Sequence, residues 1–237
     1  MQFKEVQSEQ SSETKSYKYW VASSNFFETS LVFYPVYNNR LLKQENLTQL
    51  SASAEIFDCD GKSVNKIQCS FDNNKVSVLE MASLLEGLKY EAGIKHGFVE
   101  LKTSSNLSVQ CRINSHSSAA VLGDLDEISR YQKAFLPLRL GESTNTLIVL
   151  ANLSKDINSV KVKLFLGKRT PEVNVELAAG SVRLLSLADE FAECIENKSF
   201  AALGYLRVAS KNDLPFALQI IESTEGLKEE AVFSSIL

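Results

Sequence analysis

The sequence predicts an all-β protein made of two tandem antiparallel β-sandwich domains, Ig-like or jelly-roll-like, related by internal duplication. Short segments rich in β-branched and aromatic residues recur at intervals of about 8–12 residues, with turn residues between them. Similar segments come in the same order in both halves of the chain. The strand–helix alternation of a parallel sheet is missing. Each sandwich is expected to contain one short helical segment.

The internal repeat rests on short blocks of the first half that have counterparts in the second. The matching pairs are Thr29–Val32 with Asn145–Ile148, Val76–Leu79 with Val182–Leu185, and Gly97–Leu101 with Gly204–Val208. The offset stays nearly constant after one insertion, between Asn38 and Leu50 of the first half. Such spacing is typical of two homologous units, each near the lower end of normal domain size.

The repeat divides the chain into five segments. They are a flexible arm (1–16), a first repeat (17–115), a linker (116–129), a second repeat (130–223) and a C-terminal tail (224–237). The arm is mostly Gln, Ser, Glu and Lys, a composition that rarely forms a core. The tail ends in apolar residues, Phe233 and Ile236–Leu237. Either it packs back on the second repeat, or it docks on a partner or a neighbouring subunit.

Individual strands follow from local pattern. The predicted strands are Leu31–Tyr37, Leu147–Leu150, Val160–Leu166, Val173–Leu177, Val182–Leu184, Gly204–Val208 and Phe216–Ile221. Val160–Leu166 alternates valine and leucine with lysine, as a strand with one buried face does. Asp58–Lys62 contains the Asp-Gly pair of a tight hairpin. Leu79–Leu88 and Leu185–Ile195 are the expected helical segments, at the same place in each repeat.

Charge and composition exclude several classes of function. The formal net charge is −4 and the pI is near 5.4, which argues against a nucleic-acid partner held by bulk electrostatics. No signal peptide or membrane-spanning segment is visible, so we expect no membrane insertion and a cytoplasmic location. The four cysteines include no C-x-x-C pair, and phosphate-binding and dinucleotide-binding fingerprints are missing. We therefore expect neither a metal nor another cofactor.

Catalytic residues are scarce. The two histidines, His96 and His116, lie before a predicted strand and in the linker, and the repeat duplicates neither. A nucleophilic Ser or Cys needs a basic partner within hydrogen-bond reach, and no G-x-S-x-G elbow is present. The sequence therefore predicts a protein that is not an enzyme.

One cluster of aromatic residues is a candidate binding site. Tyr17, Tyr19 and Trp20 crowd the start of the first repeat. Such side chains can stack on a sugar, a base or a partner surface. The first strand of a small sandwich also has to supply core residues, and a tryptophan suits that role. Both interpretations are kept for the three residues.

The repeat unit resembles the sensory rhodopsin transducer family and related small bacterial β-sandwich domains. The resemblance rests on the order of Trp20, Glu28–Thr29, Leu150–Asn152, Val160–Phe165, Gly180–Arg183 and Ser210–Pro215. Two departures are that the basic stretch of the family's central turn is reduced to Arg183, and that this chain has two units. The resemblance implies a non-enzymatic, cytosolic, oligomeric protein that binds partners or relays signals.

These observations lead to three hypotheses about function. The first is a non-catalytic binding or scaffolding protein, a signal-relay or assembly module that binds a protein partner or itself as a homo-oligomer. The second is a small-ligand or carbohydrate-binding module that uses the Tyr17–Trp20 cluster or the cleft between the repeats. The third, ranked last, is an enzyme with a site between the repeats that uses His96 or His116.

Overall fold

A computed structural model shows a predominantly β protein built from antiparallel sheets, as the sequence predicts. The structure describes residues 14–36, 49–72, 75–91, 93–104, 107–115, 118–128, 132–140, 144–195, 202–224 and 234–236. We call residues 14–128 the N-terminal half and residues 132–236 the C-terminal half. In the described residues no helix is long and apolar enough to cross a membrane.

The N-terminal half contains nine strands, all in one antiparallel sheet. They are β1 (Thr14–Ser23), β2 (Phe27–Pro35), β3 (Gln49–Asp58), β4 (Ser63–Asp72), β5 (Ser77–Glu80), β6 (Tyr90–Glu91), β7 (Ile94–Ser104), β8 (Leu107–Ser115) and β9 (Ala119–Leu122). A 3-10 turn, Ala82–Leu85, follows β5, and helix α1, Leu125–Ile128, follows β9.

The nine-stranded sheet folds into two layers at the turn between its first two strands. β1 and β2 pair only at Ser23 and Glu28, so the β4-β3-β7-β1 layer and the β5-β2-β8-β9 layer separate beyond this point. The Tyr19 hydroxyl crosses between them and donates to the Val109 carbonyl at 3.0 Å. Each layer turns one face inward, and the inward residues form a hydrophobic core, as in a sandwich.

The C-terminal half contains eight strands in two four-stranded antiparallel sheets. They are β10 (Lys133–Leu140), β11 (Thr144–Ala151), β12 (Asn158–Phe165), β13 (Glu172–Leu177), β14 (Val182–Ser186), β15 (Ala202–Ser210), β16 (Ala217–Thr224) and β17 (Ser234–Ile236). Two short helices, α2 (Leu187–Glu190) and α3 (Ala192–Ile195), follow β14. The sheet orders are β10-β15-β12-β13 and β14-β11-β16-β17.

The strand order in the C-terminal half follows that of the N-terminal half. Reading along the chain, β10-β15-β12-β13 corresponds to β1-β7-β3-β4, and β14-β11-β16-β17 corresponds to β5-β2-β8-β9. The corresponding strands β7 and β15 contain the repeated blocks that begin at Gly97 and Gly204. Each half therefore has two four-stranded layers connected in the same way.

Several local predictions are confirmed, and others need correction. The Asp58–Lys62 segment forms the β3–β4 hairpin, where Gly61 has φ +81° and the Asp58 carboxylate accepts from the Asp60 and Lys62 amides. Both predicted helical segments are shorter than expected because β5 and β14 occupy their first residues. Serine caps α2, since the Ser186 hydroxyl accepts from the Asp189 amide.

The predicted boundaries shift as well. The linker 116–129 contains β9 and α1, because Ala119–Leu122 pairs with β8. β1 begins at Thr14, inside the predicted arm, whose other residues lie outside the described part. In the tail, β17 (Ser234–Ile236) pairs with β16, so the three residues of this strand fold back on the C-terminal half. Phe233 and Leu237 lie outside the described residues.

The outer face of the β14-β11-β16 strands is buried against the N-terminal half. One continuous core includes N-terminal residues such as Trp20 and Phe98 together with Val149, Val182 and Leu184. A second core, with Ile148, Leu150 and Leu185 among its members, fills the inside of the C-terminal half. Because successive strand residues point to opposite faces, β11 and β14 are buried on both sides. We call this contact the junction.

Candidate functional site

Two of the three predicted site residues line an open groove of about 590 Å³. The rings of Tyr17 and Tyr19 stack with their centroids 6.1 Å apart. Tyr34, Gln110 and Asp124 complete the groove, which lies where β1 passes the end of β9. The Tyr34 hydroxyl donates to Gln110 Oε1 at 3.2 Å and accepts from the Arg112 guanidinium. Ring faces beside amide and carboxylate groups suit a small polar ligand with a flat apolar side.

Trp20, the third predicted site residue, does not reach the groove. It neighbours Tyr19 in β1 and therefore points to the opposite face of the strand. Its side chain is fully buried in the core that both halves share. The indole Nε1 donates to Nδ1 of His96 at 3.4 Å. The core interpretation thus describes the position of Trp20. Tyr17 is partly buried and Tyr19 is only 5% exposed, and both line the groove.

His96 is engaged at the junction through both of its ring nitrogens. An indole N–H can only donate, so Nδ1 of His96 accepts and the ring proton lies on Nε2. Nε2 then donates to Glu91 Oε2 at 2.6 Å. The His96 ring is fully buried, and both nitrogens are engaged, which leaves neither free for a substrate. His116, the other candidate catalytic residue, lies outside the described residues.

Glu91 connects His96 to the C-terminal half. Its Oε2 also accepts from the Leu184 amide at 3.5 Å. Burial raises the pKa of the Glu91 carboxyl, but the hydrogen bond from His96, the positive charge of Arg183 and the Leu184 amide outweigh burial. The pKa of Glu91 is therefore below its ordinary value. A second link lies nearby, where Arg183 Nη2 donates to Asp60 Oδ1 at 2.9 Å.

Glu91→Gln is expected to flatten the acid limb of the stability curve. A carboxyl whose pKa is lowered by folding contributes stability above its ordinary pKa, and this contribution is lost as the pH falls through the folded value. Because Glu91 is about one-third exposed, we expect the contribution to be about 1 kcal/mol or less. Urea unfolding of both proteins between pH 7 and pH 3 measures it. Parallel curves for wild type and variant would contradict this role for Glu91.

A stacked aromatic pair occupies corresponding positions in the two halves. In the N-terminal half the rings of Phe57 and Phe98, paired across β3 and β7, stack 4.6 Å apart. In the C-terminal half Phe165 and Tyr205, paired across β12 and β15, stack 4.5 Å apart. Phe98 is only 5% exposed because it belongs to the shared core, whereas Tyr205 is 47% exposed. The same feature is buried in one half and open in the other.

Basic side chains surround the exposed pair on the outer face of β10-β15-β12. The register places the following residues together on this face: Lys133, Phe135, Lys161, Lys163, Phe165, Tyr205 and Arg207. We call this set the aromatic–basic face. Phe135 is 57% exposed. Lys133 and Arg207 both lie over its ring, 5.2 and 5.9 Å from the centroid, and Lys163 lies 5.4 Å from the Phe165 centroid.

The aromatic–basic face keeps an excess of positive charge. Lys161 and Lys163 share one carboxylate, that of Glu172, at 2.8 and 3.8 Å. Hydrogen bonding with Lys161 is the main cause of the lowered Glu172 pKa. Lys133 and Arg207 form no ion pair within the described residues. An open sheet face with aromatic and cationic side chains is therefore the strongest candidate site for association with an acidic surface.

The sequence contained only part of the signal for this face. The alternation of Val160–Leu166 predicts that Lys161 and Lys163 share the polar side of a strand. Phe135, Phe165 and Tyr205 come from three strands far apart in the chain, and only the pairing register brings them together. Pro137 also weakens the strand pattern around Phe135, although proline is tolerated in an edge strand such as β10.

Comparison with known proteins finds no matching family model and no curated protein with significant similarity. Within the described residues, no group of three or more His, Cys, Asp or Glu side chains is placed to hold a metal ion.

Proposed function

We propose that this chain is a non-catalytic scaffolding protein of the cytoplasm, made of two duplicated sandwich domains, whose copies associate through the aromatic–basic face. The observation that carries the proposal is the difference between the two stacked pairs. Phe57 and Phe98 lie on the layer that holds the two halves together, whereas Phe165 and Tyr205 lie on the corresponding layer and are left open. Exposed apolar patches rimmed by charge are typical of interaction sites.

The duplication is supported by the order of the strands. Eight strands of each half pair in the same sequence, and the repeated blocks fall on corresponding strands. A sandwich that evolved to pack against its neighbour in the chain has a face shaped for packing. In a duplicated protein the second domain inherits that face, and here its Phe135 and Tyr205 rings are exposed.

Replacing both exposed rings, Phe135→Ala with Tyr205→Ala, is expected to weaken self-association about tenfold or more, because aromatic anchors dominate interface energies. Sedimentation velocity from low to high micromolar concentration measures the association of wild type and variant. The matched control is Lys66→Ala with Lys102→Ala, on the exposed part of the corresponding N-terminal layer, where both lysines already have carboxylate partners.

Three outcomes decide the proposed function. The proposal is supported if wild type and the lysine control associate and the variant that lacks both rings, Phe135→Ala with Tyr205→Ala, loses association. We call the latter the ring variant. A wild-type protein that stays monomeric throughout contradicts it. Equal association of all three proteins places the contact elsewhere and also contradicts it.

The groove at Tyr17 and Tyr19 supports a second candidate function, a small-ligand or carbohydrate-binding module. The supporting observation is the group of three tyrosine rings beside Gln110 and Asp124. Stacking on a sugar ring whose hydroxyls form hydrogen bonds with an amide and donate to a carboxylate is a common mode of carbohydrate recognition. The groove lies on the N-terminal half, away from the aromatic–basic face.

A further inference from the structure

The junction is a docking contact that the chain forms with itself. One partner is the outer face of the β3-β7-β1 layer, where Trp20, Phe57 and Phe98 share a side of the sheet. The other is the outer face of the β14-β11-β16 layer, where Val149, Leu184 and their neighbours point the opposite way from the C-terminal core. We call these the donor face and the acceptor face. Apolar side chains of both faces meet at the junction, with the buried Gln219 among them and the His96–Glu91 and Asp60–Arg183 pairs beside them.

Backbone contacts at one edge fix the register of this contact. The Val182 amide donates to the Cys59 carbonyl at 2.9 Å. A Cβ placed on Gly61 would lie 2.5 Å from the Gly180 carbonyl oxygen, which shows how closely the β3–β4 hairpin approaches the turn before β14. The junction is therefore a specific arrangement of two sheet faces.

The junction uses the donor face of the N-terminal half and the acceptor face of the C-terminal half. The donor face of the C-terminal half and the acceptor face of the N-terminal half are left unused. The unused donor face is the aromatic–basic face of the C-terminal half. The unused acceptor face is the outer side of β5-β2-β8-β9 in the N-terminal half, and the residues that characterise it are Glu28, Val78, Glu80 and Val121, which we call the acidic face. The register places Val78 beside Val32, Glu80 beside Ser30 and Val121 beside Arg112. Val78 is 55% exposed.

The acidic face holds two carboxylates close together. Burial, and then the charge of Glu28 and a hydrogen bond with it, raise the pKa of Glu80. Like charges at this spacing repel each other, and a cation from outside would relieve the repulsion. Among the described residues, Arg112 is the one arginine on this side, and it is bound to Tyr34 and Gln110.

We propose that a second copy of this chain places its acidic face on the aromatic–basic face, in the arrangement that the junction has within one chain. The proposal rests on the proposed function and names its partner. The two unused faces carry charges of opposite sign around their exposed apolar residues. Inside the chain, apolar residues meet apolar residues. Between copies, lysine and arginine around aromatic rings would meet glutamate around exposed valines.

Head-to-tail contact follows because the two faces differ. Each copy carries one aromatic–basic face and one acidic face, so the interface is heterologous and copies can add one after another. Direct contact between two aromatic–basic faces would bring several cations together, which disfavours a symmetric dimer through that face.

The test mixes two blocked proteins. Phe135→Ala with Tyr205→Ala blocks the aromatic–basic face, and Glu28→Lys with Glu80→Lys blocks the acidic face. Each protein alone is expected to associate at least about tenfold more weakly than wild type, because like charges or missing rings meet at the contact. Mixed in equal amounts, they retain one complementary pair of faces. Light scattering after size exclusion should then show a heterodimer of twice the 26.3 kDa chain mass.

Outcomes separate this inference from the proposed function. A heterodimer that forms only in the mixture supports the head-to-tail contact. If the Glu28→Lys, Glu80→Lys protein associates like wild type while the ring variant does not, the acidic face is not the partner, and the proposed function still stands. If neither variant weakens association, both fail. If the paired glutamate substitutions disturb folding, Val78→Lys, at an exposed position of the acidic face, blocks that face in their place.

Discussion

Trp20→Ala is expected to lower the free energy of unfolding by about 3–5 kcal/mol, the usual cost of removing a large buried aromatic side chain. Trp20 is fully buried in the core that joins the halves, and its indole N–H bonds to His96. The substitution removes the ring volume and leaves Nδ1 of His96 without its donor. Urea unfolding followed by circular dichroism measures the loss.

Phe26→Ala is the matched control for Trp20→Ala. Phe26 lies in the turn between β1 and β2 and is exposed, so its removal should cost less than about 1 kcal/mol. Because Trp20 is the only tryptophan, the wild-type emission should be blue and resist aqueous quenchers. An equal cost for the two variants, or a readily quenched tryptophan, would show that Trp20 faces solvent.

Gly97→Ala is the second substitution with a large expected effect. A Cβ at Gly97 would lie 2.0 Å from the carbonyl oxygen of Phe57, in the strand that pairs with β7. Backbone cannot move aside as a flexible side chain can, so β3 and β7 would have to separate beside the stacked Phe57–Phe98 pair. We expect a loss of about 3 kcal/mol or more, together with a junction that opens more easily.

Gly87→Ala controls for the general effect of replacing glycine. No atom lies within 4 Å of a Cβ at Gly87, and its φ is not in the left-handed region. Alanine there should be neutral or stabilise the fold by up to about 1 kcal/mol, because it restricts the unfolded chain. Thermal unfolding of both variants gives the comparison. A Gly97→Ala protein as stable as Gly87→Ala would contradict the close approach of β3 to β7.

The fold was predictable wherever a strand shows strong alternation. Val160–Leu166 and the Asp-Gly hairpin at Gly61 are examples, because side-chain period and turn chemistry are local. β3 was missed since its buried positions include Ala52 and Ala54, which have low strand propensity. β8 was also missed, although Leu107–Ser115 alternates buried and half-buried residues strictly. Attention to alternation, independent of propensity, would have found both.

The candidate site was predictable only in part. Tyr17 and Tyr19 lie two residues apart on one strand, so their common face follows from the period of a strand. Trp20 directly follows Tyr19 in the strand, so it points to the other face and lies in the core, which is the alternative kept for it from the sequence. The aromatic–basic face depends on long-range pairing of β10, β15 and β12, and hydrophobic periodicity within single strands carries no information about register between them.

Hydroxyl-radical footprinting across a range of protein concentrations tests the central claim that the aromatic–basic face is an association surface. Phe135 and Tyr205 should be oxidised readily in dilute protein and should become protected as the concentration rises. Two internal references are Tyr90, exposed in the N-terminal half, which should stay reactive, and Phe98, buried at the junction, which should stay protected. Unchanged oxidation of Phe135 and Tyr205 at every concentration would contradict the proposal that copies associate through this face.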